Sequence, residues 1–477
     1  MNFAEHGKEI AKKENTSGEK VNRKGNLLFI GFILSLILAA GGPIPAVMAA
    51  TTYYVDRNNA QASDSNPGTQ ALPWKTIQKA ANTMAAGDTV IVQAGTYSER
   101  VTTARSGTAG NPITFKTTGT VVMKGFSIDH DYITVDGFEI TNTGGEYSIS
   151  VSGSSGQILN NNIHDSDPNA NGDIMFMSNS SQGCTLKGNH LWGNISYSGD
   201  YPLITLSGKN HLVEGNELGP IKDADVFRPF GSGHVIKNNY IHDVTMSPSS
   251  GAHSDIFQVF GDNGDESYNI VFENNLIVNS DGQMFMTSQD GVANIRDWDV
   301  RNNIWVNVAV QGNIGIPNFR FYNNLLYNVD WTNGFALALY RETWGAANNA
   351  KIKNNIFIGP GGLDYSGGVP YVMDDRLTGV ETDYNYVTGN PSKGYPARAN
   401  FSEVHGINGG DPKFVNLAAW DFHLRAGSPA IDKGTAVAGF NSDKDGVSRP
   451  QGSSWDIGAY EYVTNTLPST PKNLRIR

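Results

Sequence analysis

Cysteine is nearly absent. Cys184 is the one thiol in 477 residues, so no disulfide forms within the chain and the fold must hold by packing and hydrogen bonds. Charge is sparse too, at 17% of residues. Six of the 35 basic and four of the 46 acidic residues lie in the first 50, which leaves 29 against 42, a net of −13. Such an acidic body argues against nucleic acid as a partner. It would also repel a polyanionic substrate unless a cation or a local basic cluster intervenes. No apolar run reaches the ~20 residues of a membrane span. The longest, Leu27 to Ala40, has fourteen mostly apolar residues. It follows a charged stretch and precedes Val-Met-Ala-Ala at Val47 to Ala50. That order predicts a signal peptide over 1–50 and a secreted or cell-surface protein, with a retained N-terminal anchor as the other reading.

What the chain does have is a repeat. An Asn-centred phrase recurs with its second residue at Asn161, Asn189, Asn216, Asn239, Asn275, Asn303, Asn324 and Asn355, spaced by 28, 27, 23, 36, 28, 21 and 31. The residue three before each is apolar: Ile158, Leu186, Val213, Ile236, Phe272, Val300, Phe321, Ile352. So is the residue two after: Ile163, Leu191, Leu218, Ile241, Ile277, Trp305, Leu326, Phe357. Five residues separate the two columns, so a straight strand would point them to opposite faces. A left-handed turn at the Asn restores the parity. Two positions before each Asn, charges mostly alternate in sign, as in Lys187, Glu214, Lys237, Glu273 and Arg301. In strands stacked about 4.8 Å apart these would be direct neighbours. Coils of uneven length, without a leucine consensus or a propeller signature, predict an all-β parallel β-helix of about eleven to thirteen coils. Cys184 falls among its core residues.

The ends are distinct. Thr76 to Ala85 has helical apolar spacing and precedes a strand at Asp88 to Gln93, which predicts an N-terminal helical cap over the first coil. Between Tyr53 and Val101 the phrases D-S-N-P-G-T, W-K-T-I-Q-K-A, G-D-T-V-I-V-Q-A-G-T-Y and E-R-V closely resemble the N-terminal region of secreted β-helix proteins of polysaccharide lyase family nine. The resemblance implies a single-stranded right-handed parallel β-helix. D-P-K-F-V-N, G-S-P-A-I-D-K-G and D-I-G-A-Y-E-Y, from Asp411 onward, resemble the β-rich module that ends many such proteins. Asp443, Asp445, Asp456 and Glu461 there suit either a calcium loop or a solvated turn. The expected organisation is a signal peptide at 1–50, the capped β-helix at 51–400, the end module at 401–462, and a linker or the start of a further domain at 463–477.

Chemistry concentrates in the middle coils. Asp173, Asp200, Asp225, Asp255 and Asp281 precede similar apolar segments at spacings of 27, 25, 30 and 26. Stacked carboxylates must share protons, splay apart or bind a cation. Calcium suits them, while turn-capping Asp is the competing reading. Arg228 and Gln258 interrupt a column that otherwise aligns Phe176, Leu203 and Met284. Polar residues breaking an apolar column tend to mark sites. His253 and Asp255 share one face of an extended segment, and Lys222 and His234 lie in the same dense group.

Two enzymatic readings follow. In a lyase, His253 would be the base and Arg228 would neutralise the substrate carboxylate, with Asp255 and Lys222 assisting and calcium on the Asp column. In a hydrolase, Asp225 and Asp255 would flank the scissile bond at about 5–9.5 Å. Gln258, His234, Trp331 and Trp344 are the candidate substrate contacts, the last two as loop aromatics that stack on sugar rings. The family resemblance implies calcium aspartates around D-A-D-V-F-R-P-F and N-S-D-G-Q, but Phe230 stands about where the family's lysine base would fall. The expected protein is therefore a monomeric, extracellular, polysaccharide-processing enzyme, with β-elimination of a uronate polymer ahead of hydrolysis. The alternative from another class is a non-catalytic glycan-binding surface or matrix protein.

Overall fold

The computed structural model describes residues 49–144, 147–165, 174–194, 202–247, 254–259, 265–287, 292–329, 335–342, 345–359 and 369–464. Each regular coil turns corners five residues apart, on residues with left-handed backbones. Ser155, Asn160 and Asp165 have φ of 56°, 53° and 45°; Asn318, Asn323 and Asn328 have 57°, 54° and 56°. The corners are mostly Asn, Asp or Gly, the residues that reach this region at least cost. Short strands join the corners. Side A, between the first and second corners, includes Gln157–Leu159, Thr185–Lys187 and Leu212–Glu214. Side B follows the second corner, as in Asn162–His164 and Tyr240–Thr245. Side C carries the rest, including Met175–Met177, Pro202–Leu206 and Asp225–Pro229.

The stacking is parallel, with the two apolar columns in register. Ile158 pairs with Leu186, Leu186 with Val213 and Val213 with Ile236 on side A. Ile163 pairs with Leu191, Leu191 with Leu218 and Leu218 with Ile241 on side B. All eight are buried in one continuous core. Complete burial of such a side chain stabilises by about 1.5–3 kcal/mol as an upper bound. The charged column lies outside: Glu214 meets Lys187 at 2.9 Å and Lys237 at 3.5 Å, and Arg301 meets Glu273 at 2.7 Å.

The corner differs from the expectation in one respect. The left-handed residue is the one before the repeat Asn: Asn160, Gly188, Gly215, Asn238, Asn274, Asn302, Asn323 or Asn354. The repeat Asn itself points inward and is buried. Its Oδ1 accepts both the backbone N–H and the side-chain amide of the Asn one coil earlier, at 2.8–3.1 Å along the ladder. Its second amide proton goes to a carbonyl of the preceding coil, as from Asn189 to Ile158 at 2.9 Å. Each buried amide is thereby satisfied. The ladder also includes Asn385 and ends on Glu403.

About nine turns close in this way, fewer than the eleven to thirteen expected. The N-terminal coils are built differently. Thr52–Val55 (β1), Thr89–Thr102 (β2), Ile113–Ile128 (β3) and Ile133–Asp136 (β4) stack in parallel there. They lack the Asn corner, and β2 and β3 run on for 14 and 16 residues. The helix α1, Ile77–Thr83, buries Ile77, Ala80 and Ala81 and packs against β2. Thr76 caps it, and Glu99 of β2 accepts from Ile77 N at 2.9 Å and Gln78 N at 3.0 Å. Cys184 is buried, and burial pushes its thiol up to about 11.

Beyond Ile407–Asn408, which pairs with Tyr386–Thr388, the chain forms an antiparallel hairpin of Phe414–Asn416 and Asp421–Leu424. It then returns along the later coils. Second-corner asparagines hold it: Asn302 donates to Ser442 O at 2.9 Å, Asn323 to Gly458 O at 3.1 Å and Asn354 to Thr435 O at 2.8 Å. Its apolar residues cover the outward side chains of side B, among them Leu276, Ile304, Leu325 and Ile356.

Candidate functional site

Side C carries the candidate chemistry, and its hydrogen-bond register differs from the sequence alignment. Asp225 pairs with Pro202, Phe227 with Phe257, and Gln258 with Met286. Asp225 therefore sits over Asp255, but Asp255 sits over Gln283. The expected column of five aspartates does not form: Asp281 falls two positions short of the register, and Pro202 stands where Asp200 was aligned. Asp173 and Asp200 themselves lie outside the described residues. Loops of unequal length between sides B and C displaced the alignment. The same slip changes the neighbours of Arg228, which are Thr205 and Gln258 rather than Leu203 and Gln258, with Met286 in place of Met284.

Asp225 and Asp255 have structural duties. Asp225 Oδ1 accepts the backbone N–H of Asp255 at 2.9 Å, and Asp255 Oδ1 accepts that of Gln283 at 3.0 Å. Both residues are buried, at 0% and 2% exposure. A carboxylate this deep needs a counter-charge, and Arg228 supplies it: its Nη2 lies 3.0 Å from Asp225 Oδ2. The same nitrogen donates to Gln258 Oε1 at 2.6 Å. Arg228 keeps some exposure while Asp225 has none, so a guanidinium reaches the surface of side C on a rigid, ion-paired mount. Beside it run Phe176, stacked on Tyr147 at 4.8 Å between centroids, and Thr205. On the other side, Asn313 donates to Gln283 Oε1 at 2.5 Å. The result is an extended outer face with aromatic, cationic and amide groups in sequence, suited to a polar polymer with ring faces and carboxylates.

The other candidates scatter. Lys222 is exposed and pairs in the strand with Thr245. Asp223 accepts from Ser247 Oγ at 2.7 Å, and Asp281 accepts from Met246 N at 3.2 Å. His234 is not a substrate contact: it is fully buried, stacked on His211 at 5.0 Å, and its nitrogens meet His211 N at 3.2 Å and Phe230 O at 2.6 Å. Burial pushes its imidazole down to about 3 and that of His211 to about 4, so both are neutral spacers in the core. His253, Trp331 and Trp344 lie outside the described residues.

Calcium does not fit the described donors. The oxygens of Asp225 are engaged by Asp255 N and Arg228, and among the described residues no three His, Cys, Asp or Glu gather as a metal site. In the C-terminal segment, Asp443 accepts from Val447 N and Glu461 N, Asp456 from Asp432 N and Tyr462 N, and Glu461 from the Arg449 guanidinium at 2.7 Å. These carboxylates organise turns.

Sequence reasoning underrated the outer face of side B. His164 stacks on Trp192 at 4.5 Å and Tyr240 on His242 at 4.4 Å, while Glu217 lies 3.5 Å from His242 and 3.8 Å from His190. The signal was available: aromatic and ionisable residues recur one and three positions after the ladder Asn. His164 and His242 also pair with the corner residues Asp165 and Asp243 at 3.0 and 2.9 Å.

Residues 53–199 match the family model described as Pel9A-like, right handed beta helix region. The chain is 24% identical over 441 residues to the uncharacterized protein YwoF of Bacillus subtilis (strain 168), covering 79% of this chain and 91% of that protein. Among solved structures, pectate lyase Pel9A superposes with a TM-score of 0.53 at 16% identity, over 87% of this chain and 97% of its own. The complex structure of XylC with xylose gives 0.51 at 14% identity, over 86% and 98%. The chain is thus similar to Pel9A-like right-handed β-helix proteins, and at these identities the structural likeness is one of fold.

Proposed function

We propose that the protein is a secreted polysaccharide lyase that cleaves a uronate-containing polymer by β-elimination on side C. The observation that carries this reading is the Arg228 guanidinium, held at the surface by the buried Asp225 carboxylate at 3.0 Å. A uronate needs its carboxylate neutralised before the carbon beside it gives up a proton, and an ion-paired arginine is preorganised for that. The base takes the C5 proton, the electron pair forms the C4–C5 double bond, and the C4–O4 bond breaks as the leaving oxygen gains a proton. His253, two residues before Asp255 in the sequence, is the proposed base, and Lys222 a further cation at the end of its strand. Gln258 orients Arg228 and contacts substrate beside it. No step is routed through calcium, because the described donors do not suit it. The likeness to a pectate lyase fold supports the substrate class.

Hydrolysis by Asp225 and Asp255 is disfavoured. Paired catalytic carboxylates must both reach the glycosidic bond, and these two are buried and occupied by backbone N–H groups and Arg228. The test is ultraviolet absorbance of unsaturated uronate products, with the purified chain on a panel of uronate polysaccharides, with and without chelator. Rising absorbance that is lost in Arg228→Ala supports the lyase. New reducing ends without absorbance would mean hydrolysis. Neither signal on any substrate would leave the glycan-binding surface protein as the better reading.

A further inference from the structure

A cavity of about 370 Å³ opens where the returning C-terminal segment meets the solenoid, at the corner between sides A and B. It is on a different part of the coil from Arg228. Trp420 and Lys444 line it from the C-terminal segment, Glu214 and Asn238 from the coils, and Leu276 and Tyr460 add apolar wall. Its size is that of a small-molecule site, and its lining is mainly polar, with Lys187, Lys444, Glu214, Asp421 and Asp445 beside three asparagines, which suits a hydroxylated ligand.

Two features of this wall exceed what packing needs. Trp420 has φ 54°, a left-handed backbone that is uncommon for a bulky aromatic, though Tyr132, Tyr384 and Tyr395 share it. The turn that ends Leu417–Ala419 imposes it, and the indole remains partly exposed at the cavity. Residues held in this backbone region cluster at ligand sites, and Trp420 is the one of these aromatics that lines the cavity. The second feature is the charge pattern. Glu214 is held by Lys187 at 2.9 Å and Lys237 at 3.5 Å, and Asp421 and Asp445 share His423 at 2.6 and 3.0 Å. Lys444 donates to a neutral acceptor, the backbone carbonyl of Asn274, and feels the charges of Asp443 and Asp445 without a direct ion pair to either among the described residues. An ammonium carries three protons, so it has capacity for a ligand carboxylate. Burial pushes this amine down to about 7, and an incoming anion would favour its charged form.

We propose that this cavity is a second saccharide site, separate from the Arg228 face, which takes one acidic sugar ring stacked on Trp420 with its carboxylate on Lys444. The proposal rests on the polysaccharide reading given above for the substrate class. It does not depend on the chain being a lyase. The cavity would hold the polymer or its released end while side C acts elsewhere along it.

The test is calorimetric binding of trigalacturonate and of neutral xylotriose to the whole chain at neutral pH. Trp420→Ala is expected to weaken trigalacturonate binding at least about tenfold, and Lys444→Met to weaken it similarly while leaving any xylotriose affinity unchanged. Arg228→Ala, if folded, is expected to retain a binding event at the cavity. Lys444 also tethers the C-terminal segment through Asn274, so its variant is checked by melting temperature; Trp420→Ala keeps that tether and stands as the independent probe. Equal affinity for both sugars would overturn the acidic-sugar assignment. Absence of binding, or binding lost only in Arg228→Ala, would overturn the site. Binding without any polysaccharide cleavage would leave this site standing and sink the lyase, whereas cleavage without cavity binding would do the reverse.

Discussion

The Glu403 carboxylate takes the place of a missing asparagine: it accepts the backbone N–H of Asn385 at 2.9 Å and its side-chain amide at 2.8 Å. Every earlier rung donates those two bonds to the next Asn Oδ1. At the last rung no further Asn follows, and two buried donors would be left without acceptors. Glu403→Ala should therefore cost about 1–3 kcal/mol, the desolvation penalty of an unsatisfied buried group. Glu403→Gln keeps one acceptor and should cost less. Urea unfolding of the two variants checks the order; equal stability of Glu403→Ala and the parent would show that the ladder needs no terminal acceptor.

Arg228 and Asp225 should be coupled in stability as well as in function. Removing the guanidinium leaves a fully buried carboxylate without its counter-charge, which typically costs about 3–5 kcal/mol. Asp225→Asn with Arg228→Met removes both charges and should recover part of that loss. A double-mutant cycle by denaturant melting should return an interaction of about 0.5–3 kcal/mol. An additive pair would mean that the contact at 3.0 Å contributes nothing to holding Arg228 in place.

Much of the coil was legible because its period and its burial coincide. The columns through Ile158 and Ile163 follow directly from the sequence, since a one-residue slip would turn every apolar side chain outward. Asn160 and Asn161 divide the work of the corner, one left-handed and one buried, and the glycines Gly188 and Gly215 in the first position of two repeats mark which is which. Side C was harder to place. Its strands follow loops of changing length, so aligning on Asp225, Asp255 and Asp281 slipped the register by two at Gln283. His234 was misjudged because a column of imidazoles can lie inside a solenoid as neutral stacked rings, and sequence gives no measure of that burial. The cavity beside Trp420 was not legible at all, because it is made by contact between coils and a segment some 200 residues downstream.

The structural carboxylates make a prediction about metal. With Asp225 and Asp443 engaged by protein donors, stripping divalent cations should leave the melting temperature unchanged. A fall on chelation that calcium reverses would place a cation on residues beyond the described set and restore it to the mechanism.

His423 gives the C-terminal segment a pH response of definite sign. Its imidazole lies between Asp421 at 2.6 Å and Asp445 at 3.0 Å and stacks on Tyr460 at 3.9 Å. Burial lowers its affinity for a proton, but the hydrogen bonds and charges of the two carboxylates outweigh it and raise the pKa above 6.5. A histidine whose folded pKa exceeds its unfolded value binds its proton more tightly in the folded state. Its contribution is complete below 6.5 and is lost as pH rises through the folded pKa. The parent's melting temperature should therefore carry a downward component on going from mildly acidic to mildly alkaline buffer. His423→Gln should be less stable in acid and should lack that component. A variant with the parent's full pH slope would assign the response to another group and show that the two carboxylates do not stabilise the imidazolium.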